Sequence, residues 1–345
     1  MSRKNDSPEE QEERHPRSSY ELFGQGGALV LTAGAIRSGR PPQGWLISGP
    51  PGIGKATLAY RITRYVLNYG ASDEGPADLG VTPDNKVSRQ IEAGANPGLM
   101  VLTIGVDKKG KKRSALTVDE VRKLSGFFGM TSGAGGWRVA IVDSADDMND
   151  NAANALLKLL EEPPARAMLL LIAHAPGRLL PTIRSRCQRL DLRPLQTSDM
   201  SVALTRLLPG VDTKKRALLG DIAGGSPGLA LKLSDGDGLK LAQEAERLIS
   251  AAAIPDFPAL LSLAERVVKA TDGLPEFGKH LSDGIARRIR NSAFGPGTDH
   301  QGWIEAWERI NQTFSRAKGI HMEPRQTIIN SARIIDAGRR QSSSL

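Results

Sequence analysis

Apolar residues fall along this chain in two rhythms. In the first half, short runs that are apolar at nearly every position alternate with longer stretches whose apolar residues return every three or four positions. The runs lie at residues 45–47, 99–104, 137–143 and 168–173. Such runs suit strands buried on both faces, as in a parallel sheet covered by helices. The periodic stretches, at 28–36, 55–68, 117–128 and 151–162, predict amphipathic helices. Thr117 is placed to cap the third of these, with Glu120 reaching back to it, and Pro163-Pro164 is a hard stop for the fourth. Beyond Pro194 the apolar runs disappear. Residues 198–208, 214–223, 229–233, 239–253 and 257–270 keep the helical period, and more helices are expected as far as Ile335. The pattern predicts an α/β domain followed by an all-α part. Residues 1–18, polar, charged and proline-containing, read as a disordered tail. Residues 70–98 read as loop, and Gly236-Asp237-Gly238 as a hinge.

The first strand runs into Gly49-Pro50-Pro51-Gly52-Ile53-Gly54-Lys55-Ala56-Thr57, and a helix begins near Lys55. Gly49, four residues, then Gly54-Lys55 is the layout of a P-loop. Its glycines let backbone N–H groups surround phosphate oxygens, the helix N-terminus adds positive potential, and Lys55 is placed to reach the β/γ-phosphates. The position after the lysine should carry a magnesium-binding hydroxyl and instead carries Ala56. Thr57 follows one residue late, about 100° further round the helix, so it is no simple replacement. A glycine turn with no ligand is the other reading of the same residues.

A P-loop needs a carboxylate at the end of a neighbouring strand to hold magnesium. Asp143 closes the run Val139-Ala140-Ile141-Val142 and meets that need. Its other reading is a purely structural strand end. The next residue would be a glutamate polarising the attacking water in a hydrolysing enzyme, and here it is Ser144. Binding elements are present and hydrolysis elements are missing. The nucleotide-binding candidates are therefore Gly49, Pro50, Gly52, Ile53, Gly54, Lys55, Ala56, Thr57 and Asp143, with magnesium through Asp143.

Charge and cysteine content narrow the classes. Forty-six Lys and Arg against 38 Asp and Glu give a net charge of +8, compatible with nucleic-acid contact and equally with a solvated surface. Five of the seven residues 107–113 are basic; they read as a hairpin tip, with DNA contact as the alternative. Cys187 is the only cysteine, which excludes an internal disulfide and a cysteine-cluster zinc site. No apolar run is long enough to span a membrane, and the charged start predicts no secretory signal, so the cytoplasm is the expected compartment.

Residues 151–164 (Asn-Ala-Ala-Asn-Ala-Leu-Leu-Lys-Leu-Leu-Glu-Glu-Pro-Pro) and Ser185-Arg186-Cys187, with residues 20–27, the P-loop and 117–122, resemble bacterial clamp-loader AAA+ subunits. The resemblance is strong over about residues 20–235. It implies a P-loop AAA+ parallel-sheet domain at 19–195, a small helical lid at 196–236 and a helical collar domain at 237–345. It implies that Arg186 acts as an arginine finger on the ATP site of an adjacent subunit. Arg184, Arg186 and Arg189 lie close together, and the residues alone do not choose among them. Gly225-Ser226-Pro227-Gly228 occupies the lid position where motor subunits carry an arginine, a third missing hydrolysis element. The implied cofactor is ATP with Mg²⁺ and no zinc. The implied partners are tau/gamma motor subunits and a delta subunit in a heteropentamer, a sliding clamp, and primed DNA through the complex. Two alternatives stand beside this one: an active AAA+ motor in which Thr57 and Asp146 replace the lost groups, and a DNA-binding adaptor using residues 108–113.

Overall fold

The computed structural model describes residues 15–105, 113, 115–129, 136–292, 300–320 and 323–342. The chain forms two compact units, one of Met1–Gly210 with Gly225–Leu229, the other of Val211–Gly224 with Ala230–Leu345.

The first unit is built on five parallel strands in the order β2-β3-β4-β1-β5: β1 Gly44–Ser48, β2 Leu99–Leu102, β3 Arg138–Val142, β4 Ala167–Ala173 and β5 Gln188–Asp191. Strand alternation sends Trp45, Ile47, Val139, Ile141, Met168, Leu170 and Ile172 into one core. Leu46, Ala140, Val142, Leu169 and Leu171 enter the other. Both faces of the three central strands are covered, so nearly every position there is apolar, whereas β2, expected as a strand buried on both faces, lies at the sheet edge and buries only Leu102. Residues of α1 (Gly26–Arg37), α2 (Lys55–Tyr69) and α3 (Lys86–Glu92) fill the first core. Residues of α4 (Val118–Gly129), α5 (Asp150–Glu161) and α6 (Pro181–Arg186) fill the second. The expected reach-back at Thr117 is present: its N–H donates to Glu120 Oε2 at 2.8 Å.

Three elements depart from the sequence pattern. β5 went unpredicted because it is a short edge strand with only Leu190 buried. α3 lies inside the stretch read as loop, opened by Asn85, whose side chain accepts the Val87 N–H. α6 turns the residues before Cys187 into a six-residue helix started by Pro181. Residues 15–18, read as the end of a disordered tail, include a 3₁₀ turn at Pro16–Ser18. The buried Arg64 fixes that segment by donating to the carbonyls of Ser19 (3.1 Å) and Arg17 and by stacking 4.1 Å from the centre of the Tyr20 ring. Residues 1–14 and 106–112 lie outside the described residues.

The second unit is helical. It contains α8 (Thr213–Ala223), most of α9 (Pro227–Ser234), α10 (Gly238–Ser250), α11 (Phe257–Lys269), α12 (Gly273–Ser292), α13 (Gln301–Ile320) and α14 (Pro324–Gln341). Its core is built from residues such as Leu248, Leu263, Phe277, Ile310 and Ile335. The residues expected as a lid are shared: α7 (Thr197–Leu207) belongs to the sheet unit and α8 to the helical one.

Candidate functional site

Parallel strands present their carboxyl ends along one edge, where ligands bind in such sheets. Ser48, at the end of β1, is opposite Ala173 of β4 and Asp191 of β5, and its hydroxyl donates to the Asp191 carboxylate. The P-loop leaves from this point. Gly49, Gly52 and Gly54 have φ of 138°, 75° and 102°, a region that favours glycine. A Cβ on Gly49 would lie 2.4 Å from the Leu192 carbonyl oxygen. α2 then opens at Lys55, directly after the left-handed Gly54.

Lys55 is 4% exposed, and its ammonium donates to the carbonyls of Gly49 and Pro50, each at 2.6 Å. Burial pulls its pKa down to about 8, against the opposing charges of Asp143 and Asp146. The ammonium thus satisfies two carbonyls of its own loop. Ala56 packs against the core and offers no hydroxyl; Thr57 is half-buried at the next position.

Asp143 directly follows β3 on the same sheet edge, and Ser144 turns the chain with φ of 60°. Asp146 is buried and accepts the N–H groups of His174, at 3.1 Å to both oxygens, and of Ala175 at 2.7 Å. It ties the turn after β3 to the end of β4. Two backbone donors fix this carboxylate in place between the two turns.

The segment Gly225–Gly228 lies on the P-loop itself. Leu195 N–H donates to the Gly225 carbonyl at 2.8 Å, Ser226 Oγ to the Pro51 carbonyl at 3.0 Å, and Gly228 N–H to the Gly52 carbonyl at 2.9 Å. A Cβ on Gly52 would lie 2.4 Å from Ser226 Oγ, and one on Gly228 2.9 Å from Gly52 Cα. The segment's place over the P-loop turn had no sequence signal beyond the paired glycines.

In kind, the loop fits a phosphate chain: a glycine cradle that a Cβ would fill, and a buried ammonium. It does not complete a magnesium site, because Ala56 leaves Asp143 without the companion hydroxyl. Among the described residues, no group of three or more His, Cys, Asp and Glu side chains could hold a metal ion.

The arginine candidates separate by position. Arg184 is half-buried in α6, and Arg189 on β5 pairs with Asp191 at 3.3 Å. Arg186 is the exposed last residue of α6; it pairs with Glu161 at 2.9 Å and donates to the Thr182 carbonyl at 3.2 Å. Cys187 beside it is buried, and burial pushes its thiol up to about 12, so it packs and does not react. Arg186 stands apart from the P-loop residues as a group of its own on the surface. Of the basic residues at 108–113, Arg113 alone is described, 3.5 Å from Glu120.

The family model described as DNA polymerase III, delta subunit matches residues 24–196, half of the chain and nearly all of the sheet domain. The chain belongs to that family. It is 39% identical over 190 residues to the DNA polymerase III subunit delta' of Pseudomonas aeruginosa, covering 55% of each chain. It is 30% identical over 270 residues to the DNA polymerase III subunit tau of Salmonella typhimurium, covering 74% of this chain and 39% of that one. The chain thus spans about half the length, or less, of these relatives. A solved DNA polymerase III gamma subunit-related protein from Thermotoga maritima aligns over 86% of this chain and 96% of its own, at 17% identity and a TM-score of 0.42. Every P-loop and Arg186 residue discussed above lies inside the matched family region. No described helix is long and apolar enough to cross a membrane.

Proposed function

We propose that this chain is a delta-prime-type subunit of a DNA polymerase III clamp loader and assists ATP-driven loading of a sliding clamp onto primed DNA. In this reading residues 19–195 are the AAA+ domain, 196–236 the lid and 237–345 a collar. The collar joins the chain to tau/gamma motor subunits and a delta subunit in a heteropentamer. Arg186 reaches the ATP site of a neighbouring motor subunit, where a planar guanidinium stabilises phosphate charge. The chain's own P-loop turns over little or no ATP.

One observation carries this division of labour. Ala56 and Ser144 stand where a magnesium-binding hydroxyl and a water-polarising glutamate would serve hydrolysis, while Arg186 is held at the surface at the end of α6. Nucleotide binding at Gly49–Thr57 and Asp143 requires Lys55 to exchange the carbonyls of Gly49 and Pro50 for phosphate oxygens. An active motor would need Asp146 as its base, a carboxylate that two backbone N–H groups fix between two turns.

The test is clamp- and DNA-stimulated ATP turnover of the reconstituted complex, with Arg186→Ala or Lys55→Ala placed in this chain alone. Arg186→Ala is expected to lower turnover by about tenfold, because in this reading the motor sites fire as one coupled cycle and the site that loses its finger slows the others. Lys55→Ala is expected to leave it nearly unchanged. Equal losses from both substitutions would overturn the division of labour.

A further inference from the structure

The helix that ends in Glu161-Glu162-Pro163-Pro164 and the turn that carries Arg186 are separate motifs in the sequence, and the fold brings them together over one residue. Gly44 opens β1; a Cβ there would lie 2.7 Å from Leu160 Cδ2, 3.3 Å from Cys187 Sγ and 3.4 Å from the Arg186 carbonyl oxygen. Without a side chain at Gly44, the last turn of α5 and the end of α6 close on each other. That approach sets Glu161 Oε1 2.9 Å from Arg186 Nη2.

Helix electrostatics run against an acid at this place. Glu161 is the last residue of α5, where unpaired carbonyls and the macrodipole favour a cation. Glu162 adds a second carboxylate in the following position. An acidic side chain at that end gains nothing from its own helix. The partner the structure gives Glu161 is the Arg186 guanidinium. Two of the five guanidinium N–H donors are engaged, one by Glu161 and one by the Thr182 carbonyl. Both side chains are still well exposed, 38% for Arg186 and 49% for Glu161. The arginine is therefore restrained and reachable at once.

We infer that Glu161 is a positioning residue for Arg186: it holds the guanidinium in the orientation presented to the phosphates of the neighbouring subunit. This role rests on the reading of Arg186 as a finger in trans. A long arginine at the surface samples many rotamers, and restraining it beforehand removes part of the ordering cost of reaching a phosphate. Glu161 itself touches no nucleotide.

The experiment uses the reconstituted complex with Glu161→Ala, Arg186→Ala, or both in this chain, and Glu161→Gln as the conservative variant. Modification of Arg186 by phenylglyoxal, followed by mass spectrometry, is measured in parallel. Glu161→Ala is expected to lower turnover about two- to fivefold, the range of a single exposed ion pair. It should add nothing once Arg186 is already alanine, and Glu161→Gln, which keeps an acceptor, should recover part of the loss. Arg186 should be modified faster in Glu161→Ala. Melting temperature should hold or rise, since an acid leaves a helix C-terminus. An equal further loss in the Arg186→Ala background, a lowered melting temperature, or unchanged turnover and modification would each overturn the inference. If Arg186→Ala itself leaves turnover unchanged, the finger reading fails and takes this role with it, a result distinguished because Arg186 rather than Glu161 is then inert.

Discussion

At the scale of single residues, burial decides what a side chain can do more than its identity does. Lys55 and Arg186 are both cations in the family region. Lys55 is enclosed and spends its donors on its own loop, whereas Arg186 keeps most of its donors open. The same logic applies far from the site. His280 in α12 is 7% exposed, its Nε2 has no hydrogen-bond partner, and Glu276 Oε2 lies 3.9 Å away. Burial pushes its pKa below the ordinary imidazole value, Lys279 and Arg287 push the same way, and Glu276 opposes them. The unfolded chain therefore binds this proton more readily than the folded one. Stability is full above the unfolded value of about 6.5 and declines as pH falls from there through the lower folded value. The expected loss is about 1.4 kcal/mol per pH unit within that window. Urea midpoints at pH 7.5 and 5.5 should differ for the native chain and differ less for His280→Gln. Equal slopes in the two proteins would show that His280 is not the source.

At the scale of elements, the segment Gly225–Gly228 and the P-loop turn act as a pair. Their contact is made of two hydrogen bonds and a backbone approach that leaves no room for a Cβ. Gly228→Ala places its new carbon 2.9 Å from Gly52 Cα and 3.1 Å from Gly52 O, which neither backbone can yield without moving. Overpacking of this kind is expected to cost about 1–3 kcal/mol. The measurement is the denaturant midpoint of Gly228→Ala against the native chain. An unchanged midpoint would mean that the contact is loose. Legibility at this scale follows burial and length. The three central strands, the apolar edge strand β2 and the longer helices were readable because whole runs or whole faces are apolar. β5, α3 and α6 were not, since four to seven residues show no period and an edge strand hides only one side chain. The cap at Thr117 was readable because both of its partners lie within one helical turn.

At the scale of the whole chain, Gly225–Leu229 returns to the sheet unit between two stretches assigned to the helical unit. A fragment ending at Gly210 lacks it, and one ending at Leu229 keeps it. The shorter fragment is expected to be less stable by about 1.5–4.5 kcal/mol, the net worth of three hydrogen bonds with little added packing. Thermal melting of the two fragments checks this, and equal midpoints would show that the segment adds nothing to the sheet unit. By itself the sequence determined the α/β and all-α halves, the P-loop between β1 and α2, the carboxylate after β3, and the loss of the hydroxyl and the glutamate. These are local facts, set by the period of apolar residues and by neighbours in the chain. It also carried the motifs by which the family is known, and the resemblance on which Arg186 is proposed among three arginines. Only tertiary structure decided that Lys55 faces its own carbonyls, that Asp146 is taken by the β4 end, that the glycine segment covers the P-loop turn, and that Glu161 meets Arg186. All but the first join residues distant in sequence. Their proximity follows from the parallel strand order and from close approach at Gly44, Gly52 and Gly228, where a missing side chain lets two backbones meet.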